Sequence, residues 1–145
     1  MTRVYLDSNI VLYAIGEESR FRDPCRTLLQ SVVNRDLVGE TSVLTVQEVV
    51  HHRQRRGDAA PAAHGRDVLA ICAATHPLDD AIVQMALRLM DGRPRLRTAD
   101  AIHASTALAH GIETIVSADD DFDVIAGLER VDPLDRDRLA TLTGG

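Results

Sequence analysis

Short apolar runs alternate with amphipathic stretches along this chain, and the first such unit is the clearest. Residues 3–6 form a β-prone run that stops at Asp7-Ser8-Asn9, three residues that favour turns and helix N-caps. Apolar residues then recur at helical spacing over residues 10–15, and Gly16 ends the pattern. The sequence therefore predicts a strand, a tight turn and a helix at the start of the chain.

The rest of the chain repeats this alternation of helices and short strands. Because parallel strands need crossover connections, usually helices, the order predicts an α/β fold with a mostly parallel central sheet between two helical layers. We expect one domain over residues 1–145, with a polar tail from about Asp132. The remaining predicted helices cover 24–33, 42–56, 60–74, 81–90 and 99–110, the strands cover 37–41, 112–116 and 128–131, and 75–78 is predicted as an extended link.

The composition limits both the compartment and the chemistry. Of the 145 residues, 45% are apolar and 26% are charged, and no run approaches the roughly 20 apolar residues of a membrane helix. Because Asp7 also interrupts the region where a signal peptide would be apolar, we expect a cytoplasmic protein with no membrane partner. All 16 basic residues are arginine, which excludes mechanisms that need a P-loop lysine or a Schiff base.

Four acidic residues stand out because of where the pattern places them. Asp7 and Asp119 each follow a predicted strand, and ligand sites of parallel sheets form beyond the carboxyl ends of the strands. Glu48 and Asp100 lie in helices whose neighbouring positions are apolar. Each residue alone has a structural explanation, since an aspartate can cap a helix or favour its dipole. Taken together, they predict one acidic pocket.

Carboxylates that are held together repel one another, and a hard divalent cation relieves that repulsion. Oxygen ligands suit Mg²⁺ or Mn²⁺, and one or two such ions in an acidic pocket are a common arrangement for phosphodiester hydrolysis. The net charge of −6 is unfavourable for a nucleic-acid partner, but the four positive charges of two ions would reduce it to −2. Glu48-x-x-His51 and Asp100-x-x-His103 are similar to di-iron ligand pairs, yet the further glutamates of such bundles are not evident.

Four stretches that contain these acids resemble the motifs of PIN domains. Asp7, Glu48, Asp100 and Asp119 occupy the four acidic positions in order, and Asp121 is an auxiliary acid in the last motif. The resemblance covers residues 3 to about 131 and implies a three-layer α/β/α PIN fold. The four stretches are Val4–Tyr13, Ser42–Val49, Leu96–Ala104 and Ser117–Phe122.

The length of the chain, with no added domain, is further similar to the VapC toxins of VapBC toxin–antitoxin pairs. This resemblance implies an endoribonuclease that uses one or two Mg²⁺ or Mn²⁺ ions and leaves 5′-phosphate and 3′-hydroxyl ends on its RNA substrate. We expect Asp7, Glu48 and Asp100 to hold the principal ion, and Asp119 with Asp121 to complete the catalytic site. Three further side chains are expected to orient the carboxylates or bound water: Ser8, Asn9 and Ser117.

The same resemblance implies a homodimer, or a hetero-oligomer with a VapB-like antitoxin that blocks the site. We expect an antitoxin arginine to pair with the carboxylates, and an antitoxin helix to lie in an apolar groove formed by Ile10, Val11, Ile15 and the helix that contains Glu48.

Two other functions stay open at this point. A haloacid-dehalogenase-like phosphohydrolase also begins with a strand and Asp-x-Asn, although such enzymes nearly always use a lysine. A non-catalytic PIN-like binding module would keep the fold with an idle site.

Overall fold

The computed structural model of the protein describes residues 1–144. Its centre is a sheet of five strands, all parallel. In chain order the strands are β1 (Arg3–Leu6), β2 (Val38–Ser42), β3 (Ala74–His76), β4 (Thr114–Val116) and β5 (Glu129–Val131). Within the sheet they lie in the order β3-β2-β1-β4-β5, so that β1 is the central strand.

Helices connect the strands and cover both faces of the sheet. A 3₁₀ helix at Asp120–Val124 follows β4. None of the helices in residues 1–144 is long and apolar enough to span a membrane. The α-helices are α1 (Ser8–Ile15), α2 (Arg22–Val33), α3 (Val43–Arg55), α4 (Pro61–Ile71), α5 (Asp80–Met90), α6 (Thr98–Ala109) and α7 (Arg136–Leu142).

The side-chain alternation of β1 divides the core into two layers. Val4 and Leu6 pack with α1, α2 and α7 on one face of the sheet, because successive side chains of a strand point to opposite faces. Tyr5 lies on the other face with α5, α6 and Phe122 of the 3₁₀ helix. Tyr5 pairs with Glu40 of β2 and with Ile115 of β4. The structure thus confirms the predicted α/β/α fold.

The structure differs from the predicted elements in four places. The stretch predicted as a link at 75–78 overlaps β3, which pairs with β2 through Thr41 and Thr75, and α4 ends at Ile71 rather than at 74. Residues 120–124 form a 3₁₀ helix that the sequence pattern did not indicate. The tail from Asp132, predicted as polar, contains α7, whose Leu142 is buried in the core.

The contribution of α7 can be measured by truncating its buried leucine. Leu142 is 7% exposed, and Leu142→Ala is expected to lower the free energy of unfolding by about 2 kcal/mol, because the lost side chain leaves a cavity in the core. Leu69 of α4 is 53% exposed, and Leu69→Ala is the matched control with an expected change within about 0.5 kcal/mol. Urea unfolding followed by circular dichroism measures both values. Equal values for the two variants would contradict a packed α7.

Candidate metal centre

The first and fourth strands bring two of the predicted acids to one edge of the sheet. Asp7 directly follows β1, and its backbone N–H donates to the carbonyl of Val116 at the end of β4 at 3.1 Å. Asp119 lies three residues beyond β4. Because β1 and β4 are neighbours, both aspartates lie at the carboxyl edge, as the sequence predicted.

Asp7 is fixed by hydrogen bonds from its own helix and from β4. Its Oδ1 accepts from the backbone N–H of Ser8 at 2.7 Å, so that it caps α1. The Ser8 hydroxyl lies 3.5 Å from the same oxygen. Its Oδ2 accepts from the hydroxyl of buried Ser117 at 2.6 Å. Burial raises the pKa of the Asp7 carboxyl, and these hydrogen bonds act against that rise.

Ser117 also connects Asp7 to the loop that carries the fourth acid. Its Oγ accepts from the Asn9 side-chain amide at 3.2 Å and from the Asp119 backbone N–H at 3.0 Å. The Asn9 side-chain oxygen in turn accepts from the backbone N–H of Ala118 at 3.4 Å. The three side chains predicted to orient carboxylates therefore lie in one network around Asp7.

Three carboxylates lie close enough together to share a cation. Asp100, Asp119 and Asp121 each offer an oxygen atom, and these atoms all lie within 4.8 Å of one another. Asp119 Oδ1 accepts from the backbone N–H of Asp121 at 3.0 Å, which holds the last two in the first turn of the 3₁₀ helix. Asp100 comes from the first turn of α6.

Asp100 is the buried member of this cluster. It is 8% exposed, and its Oδ2 has no hydrogen-bond partner among residues 1–144. Burial, followed by the negative charges of Asp119 and Asp7, raises its pKa to about 7. A buried acceptor without a donor is costly, and oxygen ligands are those that Mg²⁺ and Mn²⁺ prefer. The cluster therefore fits a divalent cation.

Glu48 and Asp7 both face a buried histidine, His103 of α6. Nε2 of His103 lies 2.6 Å from Glu48 Oε1 and 3.7 Å from Asp7 Oδ1. Burial alone would lower the pKa of His103, but the hydrogen bond with Glu48 and the negative charges of Asp7, Glu48 and Asp100 outweigh it, and the pKa is raised. The five predicted acids thus divide into a cluster of three and a pair joined by His103.

The other ring nitrogen of His103 is held by side chains of the sheet. Its Nδ1 lies 2.6 Å from the Tyr5 hydroxyl, which lies 2.8 Å from the Ser42 hydroxyl at the end of β2. Sequence reasoning considered His103 only as a di-iron ligand beside His51. His51 is exposed, so the two histidines do not share a pocket.

Arg130 of β5 fixes the loop that carries Asp119 and Asp121. Its guanidinium donates to the Ser117 carbonyl at 3.1 Å and to both carboxylate oxygens of Asp123, at 2.8 and 3.3 Å. A bidentate arginine–carboxylate pair is geometrically specific. It therefore ties the 3₁₀ helix to the neighbouring strand.

A cleft of about 740 Å³ is lined by Asn9, whose side chain is hydrogen-bonded to Ser117 of the network around Asp7. It lies between the end of α1, the loop that follows it and the second half of α3. Its lining contains two arginines, Arg53 and Arg56, together with His52, Tyr13 and two acids of the loop, Glu17 and Glu18. Arg53 is also paired with Asp58, at 3.1 Å.

The fold and the acidic pocket define the class of this protein. The model of the PIN domain family matches residues 4–128, and the chain belongs to that family. The resemblance drawn from the four motifs is confirmed, and the haloacid-dehalogenase alternative is set aside.

The chain is also similar to individual proteins in sequence and in fold. The chain is 33% identical to Ribonuclease VapC7 of Mycobacterium tuberculosis over 132 residues. This aligned region covers 90% of this chain and 91% of that protein. Its fold is similar to a chain of VapBC2 from Rickettsia felis bound to a promoter DNA fragment, with a TM-score of 0.70, 16% identity and coverage of 90% and 98% of the two chains. It is also similar to the sarcin-ricin loop cleaving toxin VapC20 of Mycobacterium tuberculosis, with a TM-score of 0.70, 13% identity and coverage of 83% and 92%.

Proposed function

We propose that this protein is a metal-dependent endoribonuclease and the toxin of a toxin–antitoxin pair. The observation that carries the proposal is the cluster of Asp100, Asp119 and Asp121, with its unpartnered buried oxygen among the described residues, on a PIN fold. The likeness to Ribonuclease VapC7 supports RNA as the substrate. Carboxylates arranged for a hard cation provide one established route to hydrolysis of a phosphodiester.

The acids have separate tasks in this proposal. The sequence led us to expect the principal ion on Asp7, Glu48 and Asp100; we instead assign it first to Asp100, Asp119 and Asp121, whose oxygen atoms lie within 4.8 Å of one another. Asp7 and Glu48 each offer a further carboxylate oxygen from the first half of the chain. When bound, Mg²⁺ or Mn²⁺ supplies Lewis acidity at the phosphate and activates water near neutral pH. Ser117 holds the Asp7 carboxylate and the Asp119 backbone in fixed positions relative to each other. Ser8 orients Asp7, and Asn9 orients Ser117.

The cleft beside the site is where we place the neighbouring part of the RNA strand. Arg56 and His52 line it with hydrogen-bond donors for phosphate oxygens, and Tyr13 offers an aromatic face for a base. The chain as a whole carries a net charge of −6, which opposes RNA binding. RNA binding therefore depends on this cleft and on the bound cation.

The test is cleavage of a defined RNA pool by the purified protein, with the fragment ends mapped by sequencing. We expect cleavage that needs Mg²⁺ or Mn²⁺, stops with EDTA and leaves 5′-phosphate and 3′-hydroxyl ends. Asp119→Asn is expected to abolish it, and Asp120→Asn is the matched control, because Asp120 is exposed and lies outside the cluster. Folded protein that binds Mn²⁺ without cutting any RNA would overturn the proposal in favour of a binding module.

We further propose a cognate VapB-like antitoxin as the partner, in a hetero-oligomer that contains one or two copies of this chain. The hollow between α1, α2 and α4 supports a docked helix, since it is lined by half-buried Ile15, Leu29 and Ile71. The groove expected from the sequence, formed by Ile10, Val11, Ile15 and the helix that contains Glu48, is only partly present. Ile10 is fully buried in the core, Val11 is buried, and the lining of the hollow includes Ile15 and Val11 but no residue of α3. A toxin of this kind acts where RNA and antitoxin are made, so we propose a cytoplasmic location.

The inhibitory contact is tested by titrating the antitoxin into the cleavage reaction. An antitoxin arginine that enters the acidic pocket competes with the cation for the same oxygens. We expect loss of cleavage together with a lower Mn²⁺ affinity. An antitoxin that binds tightly but leaves both values unchanged would contradict the pairing of an arginine with the carboxylates.

A further inference from the structure

We propose that His103 is a positioning residue that fixes the Glu48 carboxylate for the cation through a hydrogen-bond chain anchored on Tyr5 and Ser42. The inference rests on the proposed function for its cation and its reaction. Its own support is the contact geometry of four side chains from β1, β2, α3 and α6.

The position of His103 excludes contact with an RNA strand. The residue is 1% exposed, beneath the acidic pocket and against the sheet. Three of its neighbours on α6, Ala101, Ala104 and Ala107, are fully buried. Because their side chains are small, the helix can approach the sheet closely. A histidine in this layer acts only through the groups that it touches, so we describe it as a positioning residue.

Both ring nitrogens of His103 have a partner at short distance. Nε2 lies 2.6 Å from Glu48 Oε1, and Nδ1 lies 2.6 Å from the Tyr5 hydroxyl. Because an ionised carboxylate only accepts hydrogen bonds, the proton toward Glu48 belongs to Nε2. The hydroxyls of Tyr5 and Ser42 can donate and accept, so the rest of the chain is satisfied with or without a proton on Nδ1.

Glu48 needs this support more than the aspartates do. Its side chain is 29% exposed and has three rotatable bonds, whereas Asp7 is held by Ser117 and Ser8. Ordering a free glutamate costs side-chain entropy. His103 commits one oxygen of the carboxylate and leaves the other for the cation, in the manner of residues that orient metal ligands from outside the coordination sphere.

The chain can be tested by measuring Mn²⁺ affinity calorimetrically, without RNA. His103→Leu removes both hydrogen bonds and is expected to weaken Mn²⁺ binding about 10- to 100-fold, the usual effect of removing such support. His103→Gln keeps a donor for Glu48 and should restore most of the affinity. Tyr5→Phe removes only the hydroxyl at the far end and should weaken binding by a smaller factor. His51→Leu, at an exposed position of α3, is the control and should bind as the wild type does.

Thermal melting without metal shows which variants are folded before affinities are compared. Folded His103→Leu with wild-type Mn²⁺ affinity would overturn the positioning role. If His103→Leu fails to fold, Tyr5→Phe decides, and an unchanged affinity in that variant contradicts the chain. Where cleavage by His103→Leu is measured at limiting Mn²⁺, kcat should fall together with the Mn²⁺ affinity, and saturating Mn²⁺ should restore it. KM for RNA should not change. Wild-type Mn²⁺ binding without RNA cleavage would refute the proposed function and leave the positioning role intact.

Discussion

Replacing Asp100 with asparagine is expected to reduce RNA cleavage at least about a thousandfold and to stabilise the metal-free protein at pH 8. The amide keeps the volume of the side chain but loses the charge that holds the cation. Loss of several kcal/mol of charge stabilisation, at about 1.4 kcal/mol for each tenfold change in rate, gives the expected effect. Cleavage near the wild-type rate would remove Asp100 from the site.

The stability effect follows from the raised pKa of Asp100, about 7 in the folded chain against an ordinary value of 3.8. Between these values the native state binds more protons than the unfolded state, so wild-type stability falls as the pH rises from about 4 to about 7. The expected loss from this group is on the order of 2–4 kcal/mol. The Asp100→Asn variant has no carboxyl to titrate at this position. Its free energy of unfolding should therefore lack this part of the decrease with rising pH.

Urea unfolding in EDTA at pH 5 and pH 8 measures this difference. The wild type should lose more stability between the two pH values than Asp100→Asn does, and at pH 8 the variant should be the more stable protein. Asp120→Asn, at an exposed site, should follow the wild-type pH dependence. Identical pH profiles for the wild type and Asp100→Asn would show that the carboxyl is not destabilised by its surroundings.

Mn²⁺ is expected to raise the melting temperature of the wild type by roughly 10 °C at pH 8. A ligand that binds only the native state at 100 times its Kd adds about 2.7 kcal/mol, and a domain of this size gains a few degrees for each kcal/mol. At pH 5, Asp100 is protonated in the native state, because its pKa is about 7. The ion must then displace that proton, which weakens binding about 100-fold.

The same Mn²⁺ concentration should therefore give almost no thermal shift at pH 5. Differential scanning calorimetry at both pH values provides the measurement. Asp119→Asn should lose the shift at pH 8 and Asp120→Asn should keep it. An equal shift at the two pH values would contradict the place of Asp100 among the ligands.

The sequence was most informative where local chemistry and strand order agree. Residues 3–16 predicted β1, the cap at Asp7 and α1, and these elements appear in the structure. The carboxyl edge of a parallel sheet is a general property of the fold, so Asp7 and Asp119 could be assigned to one site before their strands were known to be neighbours. Which acids share a cation could not be assigned in this way, because it depends on side-chain distances.

The structural features that the sequence did not predict have little local pattern in the chain. β3 has three residues, too few for alternation to be visible, and it is defined by its pairing with β2. α7 is seven residues long, with Leu139 and Leu142 as its large apolar residues, and it is stabilised by packing against the core that it shares with α1 and α2 rather than by its own composition. The contacts of His103 could not be predicted from the Asp100-x-x-His103 spacing, since they join it to Tyr5 and Glu48 from distant parts of the chain.

The placement of β1 at the centre of the sheet has a consequence for synthesis on the ribosome. The hydrogen bond between Asp7 and Ser117 joins residues 110 positions apart, and at about 5–20 residues per second those positions are made some 5–20 seconds apart. Until β4 and the residues after it are made, the nascent chain holds Asp7, Glu48 and Asp100 without Asp119 and Asp121. The three-acid cluster of Asp100, Asp119 and Asp121 can therefore assemble only late in synthesis, after most of the chain has left the ribosome.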